Sequence, residues 1–158
     1  MHGELTSQDF EAKAKEARIF LLCSPHNPLG IVWSREELTR NGRYLYGQQH
    51  SAGFPTRYIL TWYSMAKKHI PTATLSAETA GRVISCISGT KTFNLAGLQA
   101  STTIFPNLEM KKKFDDFWMA MDIHRNNAFS SVAMEAAFNE GEEWLNSCLR
   151  IWMGTLPS

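Results

Sequence analysis

The sequence lacks the features that mark membrane, secreted and nucleic-acid-binding proteins. No apolar run approaches the roughly 20 residues that span a bilayer, and no signal-peptide pattern follows Met1. A net charge of +1 gives little attraction for nucleic acid or an anionic membrane. The three cysteines (Cys23, Cys86 and Cys148) lack metal-ligand spacing and are odd in number. We therefore expect a soluble cytoplasmic protein with reduced cysteines and no metal.

Acidic side chains are absent from residues 41–66, although the chain contains 15 Asp and Glu residues. The stretch has neither helical nor strand periodicity, and its glycines, Pro55 and scattered aromatics predict irregular structure. Only Tyr58–Tyr63 has the composition of a buried strand there. The stretch is therefore anomalous within its surroundings.

The remainder of the chain alternates between strand and helix patterns. A length of 158 residues with 44% apolar and 20% charged side chains suits one globular domain with a real core. Strands alternating with helices predict an α/β fold with a parallel sheet. The predicted strands are 18–23, 82–87 and 99–105; the predicted helices are 5–17, 35 to the low forties after Ser34, one beginning at Ser76, 108–121 after Asn107, and 130–152 with a weak point at Gly141.

One lysine follows an apolar run directly. Val83–Ile87 leads into Ser88-Gly89-Thr90-Lys91, and a lysine just past a buried strand is expected to be shielded from water, which favours a nucleophilic amine. The hydroxyls of Ser88 and Thr90, with the turn amides around Gly89, suit an anion such as a cofactor phosphate. The residues alone leave open a second interpretation, a surface lysine in a strand-to-loop connection.

The amino-acid sequences of two segments resemble motifs of one enzyme family. S-x-x-K-T-F-N-L-A-G-L, from Ser88 to Leu98, resembles the cofactor-lysine segment of fold-type I pyridoxal-phosphate (PLP) enzymes, which include the class I/II aminotransferases. It is most similar to the branch containing cystathionine β-lyase and related C–S lyases. Phe20–Leu38 is similar to that branch's N-P-H-N-P-x-G-x-x-W-x-x-E-E-L stretch, with Ser24 and Leu29 as departures. The resemblance implies an α/β fragment of the large PLP-binding domain, a mostly parallel sheet flanked by helices.

The resemblance also implies roles for individual residues. Lys91 corresponds to the lysine that forms a Schiff base with the cofactor aldehyde and then moves the substrate's Cα proton. Ser88 corresponds to a phosphate-binding serine, with Thr90 a weaker candidate, and Asn27 to the asparagine that hydrogen-bonds the cofactor's 3'-oxygen. His26 and Trp33 are typical of the branch, and a loop-ordering role is at least as plausible for each.

The chemistry implied is β-elimination from a sulfur-containing amino acid. It gives a thiol, pyruvate and ammonia, because PLP acts as an electron sink. The same lysine serves transamination, so an aminotransferase is the alternative, and an inactive truncated remnant is a third. The resemblance implies a homodimer, and no nucleic-acid or membrane partner is expected.

One block of the family is missing between the two segments. Family members carry S-D-E-I-H-x-D-L-V there, and its first aspartate pairs with the pyridinium nitrogen. Codons permitted for Pro55–Ile59, regrouped one base out of register, encode Asp-Glu-Ile-His, so we hypothesise that residues 41–66 are a frame-shifted translation of this block. Residues 1–158 are expected to be a partial large domain, without its N-terminal part or the C-terminal small domain, and not catalytically competent as written.

Overall fold

A computed structural model describes residues 7–17, 19–46, 68–123 and 127–155. The segment 47–67, which includes the predicted strand Tyr58–Tyr63, lies outside the described residues. The described helices are α1 (Ser7–Glu16), α2 (Arg35–Tyr46), α3 (Ala77–Ala80), α4 (Leu108–Ala120), α5 (Ala128–Glu140) and α6 (Glu142–Thr155); the strands are β1 (Ser85–Ile87) and β2 (Thr102–Ile104).

Three of the predicted helix starts are confirmed by their caps. The backbone N–H of Glu37 donates to Ser34 Oγ at 3.2 Å, while the Glu37 carboxylate accepts from the Ser34 N–H at 2.7 Å. This reciprocal pair satisfies amides that have no partner within the first turn of α2. Ser76 Oγ accepts from the N–H of Thr79 at the start of α3, and Asn107 Oδ1 accepts from the N–H of Met110 at the start of α4.

The principal core forms between α1, α2 and the chain around them. Its buried side chains are Phe10, Ala14, Leu22, Leu38, Leu45 and Val83, and Phe20, Trp33, Tyr44, Ile70, Ala73 and Leu75 pack against them. Phe10 meets Phe20 edge to face with ring centroids 5.1 Å apart, a favoured aromatic geometry. Val83, just before β1, and Leu22, just before the loop that follows it, both belong to this core.

The two described strands pair antiparallel, which differs from the parallel arrangement expected from the alternation of elements. Ser85 lies opposite Ile104 and Ile87 opposite Thr102. A parallel pair needs a crossover connection, usually a helix, whereas this connection contains only turns and a 3₁₀ segment at Ala96–Leu98. Both strands are also shorter than the predicted 82–87 and 99–105.

The predicted strand 18–23 is not formed by the described residues 19–22. Leu22 is buried, whereas Ile19 and Leu21 are exposed. Apolar side chains therefore alternate as in a strand, but an extended segment becomes a strand only when a neighbouring chain pairs with its backbone. Among the described ranges no such neighbour extends along these residues.

The predicted helix 130–152 is two helices. Gly141 lies between α5 and α6, so the predicted weak point is a complete break. On α6 the side chains of Trp144, Trp152 and Met153 are substantially exposed.

Two further findings bear on the sequence-based expectations. No helix in the described part of the chain is long and apolar enough to cross a membrane. Cys23, Cys86 and Cys148 are free thiols of intermediate burial.

Candidate active site

The lysine turn, residues 88–95, begins where β1 ends. The N–H of Phe93 donates to the carbonyl of Gly89 at 2.9 Å, and the N–H of Leu95 donates to the carbonyl of Thr90 at 2.7 Å. Asn94 has a φ of 55°, in the left-handed region that asparagine tolerates better than most residues. These bonds define a closed turn with Lys91 near its middle.

The turn exposes Lys91 rather than shielding it. Thr90 and Thr92 on either side are buried, whereas the Lys91 side chain is exposed. The expectation of an amine held away from water is therefore wrong for this structure. The reason is the turn itself, which directs the two threonines inward and the residue between them outward. An exposed amine is accessible to an aldehyde from solvent.

The hydroxyls of Ser88 and Thr90 form one network. Ser88 Oγ donates to the carbonyl of Ala100 at 2.7 Å and accepts from the N–H of Thr90 at 3.2 Å. The two hydroxyl oxygens are 2.8 Å apart. Since Ser88 has a single hydroxyl proton, Thr90 is the donor between them. An anion binding here would take over the Thr90 proton or redirect that of Ser88.

Helix α5 supports the lysine turn from behind. A Cβ placed on Gly89 would lie 3.0 Å from Phe138 Cζ and 3.1 Å from Met134 Cε, so glycine allows close contact with α5. Phe93 meets Phe138 edge to face at 5.9 Å and lies 6.0 Å from the Trp144 ring. The turn is thereby held between β1 and the two C-terminal helices.

Asn27 lies at the exposed end of a second loop, residues 24–31. The N–H of His26 donates to the carbonyl of Ile31 at 2.8 Å, and the N–H of Gly30 donates to the carbonyl of His26 at 2.6 Å. Gly30 has a φ of 65°, which glycine adopts without strain. The indole N–H of Trp33 donates to the carbonyl of Cys23 at 3.1 Å, which favours the loop-ordering interpretation of Trp33.

The loop is also joined to a distant part of the chain. Ser24 is 1% exposed, and its Oγ lies 3.2 Å from Nδ1 of His69. Burial lowers the pKa of His69 below its usual value near 6.5, which favours a neutral ring. Sequence reasoning missed this pair, since no pattern links two residues so far apart in the chain.

The structure thus brings some predicted site residues together and leaves one apart. Ser88, Thr90 and Lys91 share one turn. Within the described ranges, no side-chain hydrogen bond joins Asn27 to that turn; its loop is linked instead to His69. An exposed amine and two adjacent hydroxyls are a donor set that fits an aldehyde bearing a phosphate, so the residues present suit PLP in type. Of the anomalous segment 41–66, residues 41–46 form the end of α2, so the irregular structure expected there is wrong; residues 47–66 lie outside the described residues.

Comparison with known proteins defines the class to which this geometry belongs. Residues 2–139 match the family model for aminotransferase class I and II. The chain therefore belongs to that family, and its fold is that of a fragment of an aminotransferase-like α/β enzyme, as predicted.

Individual relatives include carbon–sulfur lyases. The chain is 35% identical over 145 residues to cystathionine beta-lyase PatB of Bacillus subtilis, covering 90% of this chain and 37% of PatB. A PLP-bound candidate aminotransferase from Clostridium difficile 630 superposes with a TM-score of 0.86 and 40% identity, over 94% of this chain and 38% of that one. The PLP-bound C-S lyase of Staphylococcus hominis superposes with a TM-score of 0.78 and 29% identity. The match covers 91% of this chain and 36% of that one. The chain spans little more than a third of the length of these proteins.

Proposed function

We propose that this chain is part of the cofactor domain of a PLP-dependent carbon–sulfur β-lyase, with Lys91 as the lysine that bonds the cofactor. The observation that carries the proposal is an exposed amine at Lys91 in the same turn as the paired hydroxyls of Ser88 and Thr90, a turn that closes directly after β1. The names of the relatives favour the lyase over the aminotransferase, because a cystathionine beta-lyase and a C-S lyase are among them.

Each residue has a separate task in this proposal. The Lys91 amine bonds the aldehyde and, once substrate has displaced it, accepts the proton from the substrate's Cα. Ser88 and Thr90 bind the phosphate through their hydroxyls, and the Asn27 amide donates to the 3'-oxygen. Bound PLP supplies the electron sink that stabilises the carbanion at Cα.

The reaction then balances without a redox partner. The Cα–H bond breaks with its proton passing to Lys91, and the Cβ–S bond breaks with its electron pair leaving on sulfur as a thiolate. Water completes the reaction to pyruvate and ammonia. In the alternative, transamination, the Cβ–S bond stays intact and a keto acid forms without thiol release.

The chain as written is proposed to bind the cofactor without completing this cycle efficiently. Residues 41–66 supply no carboxylate for the pyridinium nitrogen, and a weakened electron sink removes transition-state stabilisation. By the same resemblance we propose a homodimer and a substrate that is a sulfur-containing amino acid.

Borohydride reduction after incubation with PLP tests the role of Lys91. It converts a lysine-bound cofactor to a stable pyridoxyl label that peptide mass spectrometry locates. We expect the label on Lys91 to exceed that on Lys68 and Lys112, which are also exposed, by about tenfold, since a difference of 1.4 kcal/mol corresponds to tenfold. An even distribution over the exposed lysines would contradict the proposal, and Lys68→Ala is the matched control for Lys91→Ala, since Lys112 is ion-paired with Asp116.

A further inference from the structure

The loop that carries Asn27 is ordered mainly by bonds within its own segment. His26, Ile31 and Gly30 bond one another through the backbone, and the Trp33 indole and the Cys23 thiol bond carbonyls within ten positions of themselves. Such bonds give the loop its shape. Leu22 and Trp33, on either side of the loop, hold its two ends at the principal core, whereas these bonds do not connect the loop to a distant segment.

The Ser24–His69 hydrogen bond differs from these because it spans 45 positions. Ser24 lies at the start of the loop and is 1% exposed. His69 precedes Ile70, which packs on the principal core. A bond between these side chains therefore attaches the loop to the core.

The chain after His69 leads directly to the lysine turn. It passes through the 3₁₀ segment Thr72–Thr74 and α3 into β1, and Ala73 and Leu75 pack on the same core. The bond therefore links the loop bearing Asn27 to the segment that places Lys91. A buried hydroxyl with a defined partner is costly to leave unpaired, so the bond resists separation of the two.

We propose that Ser24 and His69 are positioning residues, whose side-chain hydrogen bond holds the Asn27 loop in place against the segment that leads to Lys91. The positional claim stands on geometry alone, and its consequence for the cofactor rests on the proposed function. Ser24 is proposed to act through the loop that it holds and not by direct contact with the cofactor.

Hydrogen exchange of the full chain tests the positional claim without cofactor. Ser24→Ala should raise exchange of the His26 and Gly30 amides by about fivefold to tenfold, the loss expected for one hydrogen bond. Thr74→Ala is the matched control, since it removes a hydroxyl bond of 2.7 Å to the carbonyl of Pro71 on the same segment as His69. Its loop amides should exchange at the rate of the unmodified chain.

Two outcomes would overturn the proposal. One is a change of less than about twofold at the loop amides in Ser24→Ala. The other is an equal rise in the amides of α4, which would indicate general destabilisation. A double variant, Ser24→Ala with His69→Ala, should exchange no faster than the faster single variant, because both changes remove the same bond.

A spectroscopic measurement connects the pair to the cofactor. In the PLP-loaded chain, Ser24→Ala should shift the visible absorption maximum in the same direction as Asn27→Ala, while Thr74→Ala should not. If loop exchange rises but the spectrum is unchanged, the pair positions the loop but has no effect at the cofactor, which overturns the link to Asn27. If no cofactor attaches at Lys91, the proposed function fails while the exchange result still decides the positional claim.

Discussion

The carbonyl of Leu98 receives two side-chain donors from the start of α5. Ser130 Oγ donates at 2.6 Å and Asn127 Nδ2 at 3.2 Å. Ser130 is 1% exposed, so this contact is closed to water. It attaches the chain that leaves the lysine turn to the helix that supports it.

Removing the Ser130 hydroxyl should lower the free energy of unfolding by about 1 kcal/mol, the net worth of a buried hydrogen bond. Asn127 retains its bond to the same carbonyl, so a larger loss is not expected. Ser131→Ala is the control, because that neighbouring side chain is exposed. Urea titrations with coincident midpoints for the two variants would contradict the importance of this contact.

The partly buried His69 predicts a pH dependence of stability. Its pKa is lowered in the folded state by desolvation, so the unfolded chain binds protons more readily near pH 6.5. Stability is therefore fully present above about 6.5, the unfolded value, and falls as pH decreases towards the folded pKa. We expect the Tm to fall between neutral pH and about pH 5.5, within this window.

His69→Gln should flatten that part of the Tm profile. The pKa of Glu109 is lowered from 4.5 by its hydrogen bond to Lys113, so stability from this pair is lost only at lower pH. The two effects therefore occupy different ranges. An unchanged slope near neutral pH in His69→Gln would show that another group causes it.

Sequence reasoning grouped the candidate site residues that are neighbours in the chain. Ser88, Thr90 and Lys91 lie in one turn, and the local sequence motif was enough to group them. It missed Ser24 and His69, because their contact depends on how the core brings distant segments together. It also predicted, wrongly, that Lys91 is shielded from water. The exposure of a turn residue depends on which of its neighbours point inward, and the local sequence does not show this.

At the scale of elements, helix starts were more predictable than strands. The caps at Ser34, Ser76 and Asn107 act within three residues of themselves, so the sequence contains the whole interaction. A strand depends on its partner. Residues 19–22 alternate in burial, but no neighbouring strand pairs with them within the described ranges. β2 pairs antiparallel with β1 because the connection between them contains no crossover helix.

Gly141 is the position where one added methyl group should disturb both C-terminal helices. A Cβ there would lie 2.3 Å from the carbonyl oxygen of Ala137 and 2.6 Å from Phe93 Cε1. Gly141→Ala should therefore destabilise the chain by about 1–3 kcal/mol, the usual cost of overpacking. Hydrogen exchange should also rise at the Phe93 amide, since that ring must move.

Gly97→Ala provides the comparison, because a Cβ at Gly97 meets nothing within 4 Å. Its urea midpoint should stay near that of the unmodified chain. Equal midpoints for the two alanine variants would contradict the close packing of Gly141 against the lysine turn.

At the scale of the molecule, helices α4, α5 and α6 carry much exposed apolar surface. Leu108 is 83% exposed and Phe129 76%, and Phe117, Val132, Ile151 and Trp152 are also exposed. Apolar surface of this extent exposed to water favours association. It also accords with the proposed homodimer.

We expect the purified chain to self-associate with increasing concentration. Sedimentation velocity should show a weight-average mass above 17.9 kDa, and Leu108→Gln with Phe129→Ser should lower it by removing apolar area. Lys112→Ser, a change at an exposed polar position, is the control. A monomer at all concentrations would contradict this expectation.

The antiparallel pairing of β1 and β2 has a consequence for the order of folding. The lysine turn is enclosed by strands close in sequence, and contacts between near neighbours form rapidly because little chain entropy is lost in closing them. The Ser24–His69 contact joins residues 45 positions apart and should form later. Pulse-labelled amides of β1 and β2 should therefore gain protection before those of the Asn27 loop, so that the proposed cofactor lysine is placed before the proposed cofactor asparagine.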